Sequence, residues 1–210
     1  NQERLRFYTN ITHELRTPLT LILGPLEDMQ KETSLPAKQA QKLSVIHQSA
    51  LRLLNLINQI LEFRKTETQN KKLCVSKGNI APLIYEIGLK YKELNQKTKI
   101  DFQIQIEKEE MLLFFDKEII TIVLDNLISN AIKYTEQGRV TLSLYQTMRN
   151  EVAYTEIKVS DTGYGISAEA LPHIFDRYYQ ESGKHQASGT GIGLALVKNL
   201  VTLHAVSYTH

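Results

Sequence analysis

His13 stands beside Glu14 in the stretch FYTNITHELRTPLTLI, Phe7 to Ile22. An imidazole with one bare ring nitrogen is a nucleophile, and a neighbouring carboxylate can hold the proton on the other nitrogen. Arg16 and Thr17 follow three and four positions on, the spacing that places side chains along one side of a helix. Pro18 cannot donate to the Glu14 carbonyl, and its ring crowds that group at a cost of about 3 kcal/mol in a helix interior. A bend just below His13 is therefore expected. The plain alternative is a surface histidine above an incidental kink.

Asn126, Asn130 and Lys133 lie at i, i+4 and i+7 of an otherwise apolar helical run. Asparagine is roughly half a kcal/mol worse than alanine in a helix and gains nothing from burial unless paired. Two readings stay open: an exposed face with two harmless amides, or neutral oxygen ligands beside one cation, which suits Mg²⁺ and phosphates. In EIKVSDTGYGI, Ile157 and Val159 share a parity with Asp161, so the strand ends with a carboxylate on its core-facing side, where a charge needs a donor. Gly163 and Gly165 follow and leave room for a flat group near the backbone. A turn alone would also explain Asp-Thr-Gly, and a single copy in a helical context argues against an aspartic protease. Gly189, Gly191 and Gly193 precede a helix whose first amides are free for an anion. They follow the polar loop QESGKHQAS rather than a strand, against a dinucleotide fingerprint, and no GxxxxGK[ST] occurs. The span from Asp176 to Ser188 is long enough to suggest function or disorder, and a lid over a nucleotide fits both.

These groups must be positioned by two kinds of structure. Leu5, Tyr8, Thr12, Leu15, Leu19, Ile22, Leu26 and Met29 alternate steps of three and four, an a/d seam that leaves His13 at position b. KETSLPAKQ interrupts it, with Ser34 and Pro36 suited to open a second helix. Its seam is Leu43, Ile46, Ala50, Leu53, Ile57 and Ile60, widened by Leu51, Leu54 and Leu61. A hairpin of two such helices cannot cover its own apolar faces, so a dimeric four-helix bundle is expected. TETQNKK, residues 66–72, reads as a linker. After it come a strand in KLCVS, a helix in APLIYEIGLKYKEL, a strand in KIDFQIQIE and a short buried strand in MLLFF. The long helix KEIITIVLDNLISNAIKYT follows, then a hairpin of RVTLSLYQTM and VAYTEIKVSD around RNE, and a last helix in GIGLALVKNLVTLH. The expected boundaries are 1–67 for the helical part, 68–77 for linker and first strand, and 78–210 for the α/β part.

The 210 residues suffice for one large domain or two small ones, and the net charge of +2 comes from mixed acids and bases. That provides no basic footprint for nucleic acid and no polybasic segment for a membrane surface. Cys74 is the single cysteine, so no intrachain disulfide forms and a reducing compartment is the simpler expectation. No apolar run approaches the roughly 20 residues of a membrane span. The chain starts at Asn1 within helical pattern, as expected of a piece of something longer.

Together these segments resemble the sensor histidine kinases of two-component signalling over nearly the whole chain. FYTNITHELRTPL is similar to their H box, DNLISNAIKYT to the N box, DTGYGI to the G1 box, IFDRYY to the F box and GTGIGL to the G2 box. The resemblance implies a dimerisation and phosphotransfer hairpin, then an ATP-binding α+β two-layer sandwich of the Bergerat type. It implies His13 as phospho-acceptor, Asp161 on the adenine amino group, and Asn130 on Mg²⁺ with Asn126 beside it. Lys133, Tyr134 and Arg177 would lie near phosphate or ribose, with Gly189, Gly191 and Gly193 shaping the phosphate cradle. Glu14 would fix the His13 tautomer, and Thr17 would orient water against the aspartyl phosphate of a receiver domain. The wording FYTNITHELRTPLTLILGPLEDM is similar to hybrid sensors that fuse kinase and regulator, and family members are usually cytoplasmic portions of membrane-anchored proteins. AVSYTH departs from the family's closing glycine turn and strands, so the expectation is a sheet lacking its C-terminal strands and impaired ATP binding. The rival expectations are a Bergerat-type ATPase without phosphohistidine and a silent dimeric docking scaffold.

Overall fold

A computed structural model describes residues 2–31, 36–67, 71–95, 99–180 and 191–206, and of residues 2–14, 149, 205 and 206 the backbone. It divides into two compact units, Asn1–Lys71 and Lys72–His210.

The first unit is a helical hairpin of α1 (Gln2–Lys31) and α2 (Ala37–Glu67). Pro36 lies just before α2, and its carbonyl accepts from the amides of Gln39 and Ala40. Helix α1 runs unbroken through Pro18 and Pro25. Leu19, Leu23, Ala50 and Ile57 form the hairpin's core, with Leu51 and Leu54 packed against it. The expected single seam is in fact split. Leu19, Leu23 and Leu26 are buried, whereas Leu15, Ile22 and Met29 remain 49%, 49% and 41% exposed. The reason is geometric: α2 covers one edge of the apolar arc of α1, and the heptad-spaced leftovers face elsewhere. Across the hairpin, the Arg16 guanidinium donates to Asn58 Oδ1.

The expected linker also shrinks. Thr66 and Glu67 belong to α2, and Lys71 turns back onto it. The Lys71 amide donates to the Lys65 carbonyl (3.1 Å). The Glu62 carboxylate accepts from Lys65 (2.6 Å) and Lys71 (3.0 Å). Burial raises the Glu62 carboxyl, but bonds from these two lysines outweigh it and hold the group below its ordinary value.

The second unit places helices on a sheet. Strand β1 (Ser76–Asn79) pairs antiparallel with β3 (Leu112–Phe115). Strand β2 (Ile100–Ile106) runs parallel to β4 (Gly138–Arg149), which pairs antiparallel with β5 (Val152–Asp161). Two expectations need correcting. The first strand lies later than KLCVS, because the Cys74 amide donates to the Asp116 carboxylate (2.7 Å) instead of to a neighbouring strand. Strand β3 is not a buried one: it pairs only with β1 among the described residues, so Leu112 and Phe114 stay 55% and 57% exposed while Phe115 turns inward. The β4–β5 turn is Asn150–Glu151, both at positive φ (49° and 65°), the backbone that matches strand twist in a two-residue hairpin.

Helices α3 (Ile80–Leu94) and α4 (Lys117–Tyr134) lie over the β2–β4–β5 sheet, with Ile84, Ile128, Val140, Leu142 and Leu144 fully enclosed between them. Helix α5 (Gly193–Val206) packs along α4 and buries Leu196 and Leu200. Asp116 starts α4: its Oδ1 accepts from the Ile119 amide (3.1 Å), an N-cap bond of the kind worth about 1 kcal/mol. The Asp116 amide in turn donates to His204 Nε2 on α5 (3.2 Å). One buried residue thus ties together α4, α5 and the chain that enters the unit. A further tie runs from the Tyr91 phenol on α3 to the Asp125 carboxylate on α4 (2.9 Å).

Candidate nucleotide site and phospho-acceptor helix

Helix α4 supplies the polar stripe, and its members differ sharply in surroundings. Asn126 is buried at 7% exposure, and its Nδ2 donates to the Ile122 carbonyl (2.8 Å). A Cβ on Gly193 would lie 2.8 Å from Asn126 Oδ1, so the glycine at the start of α5 lets that helix rest on this amide. Asn126 is a strut between two helices. Asn130, one turn on, is half-buried, and no hydrogen bond holds its side chain among the described residues. Lys133 is exposed, with Nζ 3.2 Å from the Tyr134 hydroxyl and 4.7 Å from the centre of that ring.

The DTGYGI loop is fastened against the end of α4. Asp161 pairs opposite Val140, on the core-facing parity expected of it, but at the sheet's end its side chain is exposed. The donor its charge requires is the Gly163 amide (2.9 Å). Thr162 is bound both ways to the backbone of Arg139, through its amide (3.1 Å) and its Oγ1 (2.9 Å). A Cβ at Gly163 would collide with the Tyr134 carbonyl oxygen, and the Tyr164 amide donates to that same oxygen (3.2 Å). Glycine is needed here for close approach. A Cβ on Gly165, which lies at φ 74°, would meet nothing within 4 Å.

A third piece is the clip between Tyr178 and Gly191. The Tyr178 amide donates to the Gly191 carbonyl (2.8 Å). Both residues are left-handed, at φ 61° and 67°, and a Cβ on Gly191 would lie 2.6 Å from the Tyr178 backbone. Arg177, next to the clip, is exposed. The structure thus brings the α4 stripe, the Asp161 loop and the start of α5 onto neighbouring backbone. Gly189 lies outside the described residues. His13 and Glu14 lie on α1, their side chains outside the described residues, and Thr17 is exposed on the next turn.

Residues 3–69 match the sequence model of the His Kinase A (phospho-acceptor) domain. Residues 115–210 match that of the Histidine kinase-, DNA gyrase B-, and HSP90-like ATPase. The chain belongs to the histidine kinases. Histidine kinase P4 of Formosa agariphila is 38% identical over 210 residues, covering 97% of this chain and 15% of that protein. Hybrid signal transduction histidine kinase D of Dictyostelium discoideum is 33% identical, over 98% of this chain and 14% of its own length. The chain therefore spans about a seventh of each of these relatives. Among solved structures, full-length ShkA in complex with AMPPNP superposes with a TM-score of 0.71 at 25% identity, over 94% of this chain and 40% of that one. Acinetobacter baumannii AdeS shares the fold, with a TM-score of 0.58 at 23% identity over 90% of this chain and 86% of that one.

Two features of the second unit lie outside the motifs. Asp116 went unremarked although an aspartate just before a long apolar helical run is an N-cap signal. The Tyr164 hydroxyl donates to Glu136 Oε2 (2.6 Å), and no motif announces that bond.

Proposed function

We propose that this chain catalyses transfer of the ATP γ-phosphoryl group to His13, as the first step of a relay to a receiver-domain aspartate. The observation that carries it is the fastening of the Asp161 loop and the glycine-led start of α5 onto α4, around an Asn130 amide that no described protein group satisfies. A half-buried amide oxygen next to a lysine is a fitting ligand for Mg²⁺, which prefers oxygen donors and keeps phosphates for its remaining positions. Mg²⁺, when bound, neutralises charge on the phosphates. Asn130 would hold that ion, and Lys133 and Arg177 would add positive charge near the phosphates. Asp161 would accept from the adenine amino group, its carboxylate already oriented by the Gly163 amide. Glu14 would keep the proton on one His13 nitrogen so that the other attacks in line and takes on the growing positive charge within that pair. Phosphoryl transfer asks the protein mostly for position and electrostatics, and these residues offer both. Thr17, on the turn after His13, would orient water in the reverse reaction on an aspartyl phosphate.

The ShkA complex supports ATP-type nucleotide binding, and the hybrid relative supports a receiver as partner, fused or separate. The heptad-spaced apolar stripe left on the hairpin supports homodimerisation into a four-helix bundle. Sensor kinases among the relatives support a membrane-anchored parent, although no described helix is long and apolar enough to cross a membrane. Incubation with γ-labelled ATP and Mg²⁺ tests the reading. An acid-labile, alkali-stable label on the chain that is absent from His13→Ala is the expected result. Free phosphate without label would favour the ATPase, and neither product would favour a scaffold.

A further inference from the structure

The exposed hydrogen bond between Tyr164 and Glu136 has a location that gives it meaning. The DTGYGI loop leaves β5 at Asp161 and is fixed at successive residues: Thr162 to the Arg139 backbone, and Tyr164 to the Tyr134 carbonyl. Beyond that point the loop faces open space: a Cβ on Gly165 would meet nothing within 4 Å, and Ile166 is 49% exposed. The Tyr164 side chain then reaches to Glu136, in the turn between α4 and β4, and its hydroxyl donates to that carboxylate at 2.6 Å. The hydrogen bond to Glu136 raises the phenol above its ordinary value, with lesser contributions from burial and the carboxylate's charge, so Tyr164 stays a donor throughout the neutral range. Glu136 meanwhile follows directly on the α4 end that carries Lys133 and Tyr134. The bond therefore spans from the nucleotide helix to the far side of the loop that holds Asp161.

We propose that Glu136, acting through the Tyr164 hydroxyl, is a positioning residue that holds the DTGYGI loop so that Asp161 selects an adenine base. This rests on the ATP reading above. A carboxylate oriented by the Gly163 amide accepts from the amino group of adenine and repels the carbonyl oxygen that guanine presents at the same place. A loop free to swing loses that contrast before it loses the nucleotide.

Calorimetric titration of the chain with ATP and with GTP tests this in wild type, Tyr164→Phe, Glu136→Ala and Glu136→Gln. Losing one exposed hydrogen bond is expected to weaken ATP binding about fivefold, with GTP binding little changed, so that the preference for ATP falls in Tyr164→Phe and Glu136→Ala. Glu136→Gln retains an oxygen acceptor and is expected to restore most of the preference. Unaltered ATP preference in Tyr164→Phe and Glu136→Ala would overturn the proposal while leaving the ATP reading intact. So would equal losses for both nucleotides together with a lowered melting temperature, the mark of a purely structural bond. Wild type that binds neither nucleotide would overturn the ATP reading, and the proposal with it.

Discussion

At the scale of single residues, chemically identical side chains do different work because their surroundings differ. Asn126 is enclosed and bonded to the Ile122 carbonyl, whereas Asn130 is half-buried and unbonded among the described residues. Asn126→Ala should lower stability by about 1–3 kcal/mol through a lost buried bond and the gap left under α5. Asn130→Ala should keep stability within about 0.5 kcal/mol, as substitutions away from such features do, yet abolish His13 labelling. Chemical denaturation beside a labelling assay separates the two. His204 makes a pH-dependent case. Burial lowers its basicity, opposed by the Asp116 charge, and its bare Nε2 accepts from the Asp116 amide. A folded-state value below the unfolded one means the unfolded chain binds more protons. The contribution is then whole above about pH 6.5, the ordinary histidine value, and fades as pH falls through the folded value. Melting temperature should therefore drop between pH 7.5 and 5.5. His204→Gln, whose amide oxygen still accepts but does not titrate, should flatten that slope. An equal slope in both proteins would exclude His204 as its source.

Among elements, periodicity made the helices and the β4–β5 hairpin legible, because a two- or three-and-a-half-residue repeat survives any tertiary context. The loop that ends β5 was legible too, since Asp161 and its glycines stand together in sequence. What escaped was set by contacts distant in the chain. The Cys74 amide turned to Asp116, 42 positions on, so strand β1 began later than its apolar residues suggested. MLLFF read as buried, but β3 has only β1 beside it among the described residues. Glycine spacing flagged Gly191 without revealing its reason, which is the left-handed Tyr178 packed against it. Gly191→Ala should accordingly be costly on two counts: about 1–2 kcal/mol for an L-residue in left-handed backbone, and a displaced Tyr178 main chain. We expect melting at lower temperature together with weaker ATP binding. Gly165→Ala, with nothing nearby, should carry the backbone cost alone, and comparing the two melting temperatures measures the collision.

For the whole molecule, the decisive question is what the hairpin does with its uncovered apolar stripe. Leu15, Ile22 and Met29 recur every seven residues on α1, and Ile46 and Leu53 do so on α2, all between 41% and 50% exposed. A seven-residue recurrence on both helices is what two hairpins share when they pair as a bundle, since each copy presents the same stripe to the other. The buried set, Leu19, Leu23, Ala50 and Ile57, holds the hairpin itself and does not overlap with it. Pairing and folding should thus be separable by mutation. Replacing Ile22 and Leu53 by glutamate removes four half-exposed aliphatic groups per dimer, each worth about 1 kcal/mol on completing its burial, and so should weaken association about 1,000-fold. Sedimentation equilibrium should then find monomer at micromolar concentration, while the far-ultraviolet circular dichroism keeps its helical amplitude. Wild type that sediments as monomer across that range would show that the stripe serves some other neighbour. A double variant that loses its helical signal along with its partner would show that the two sets of leucines and isoleucines form one core after all.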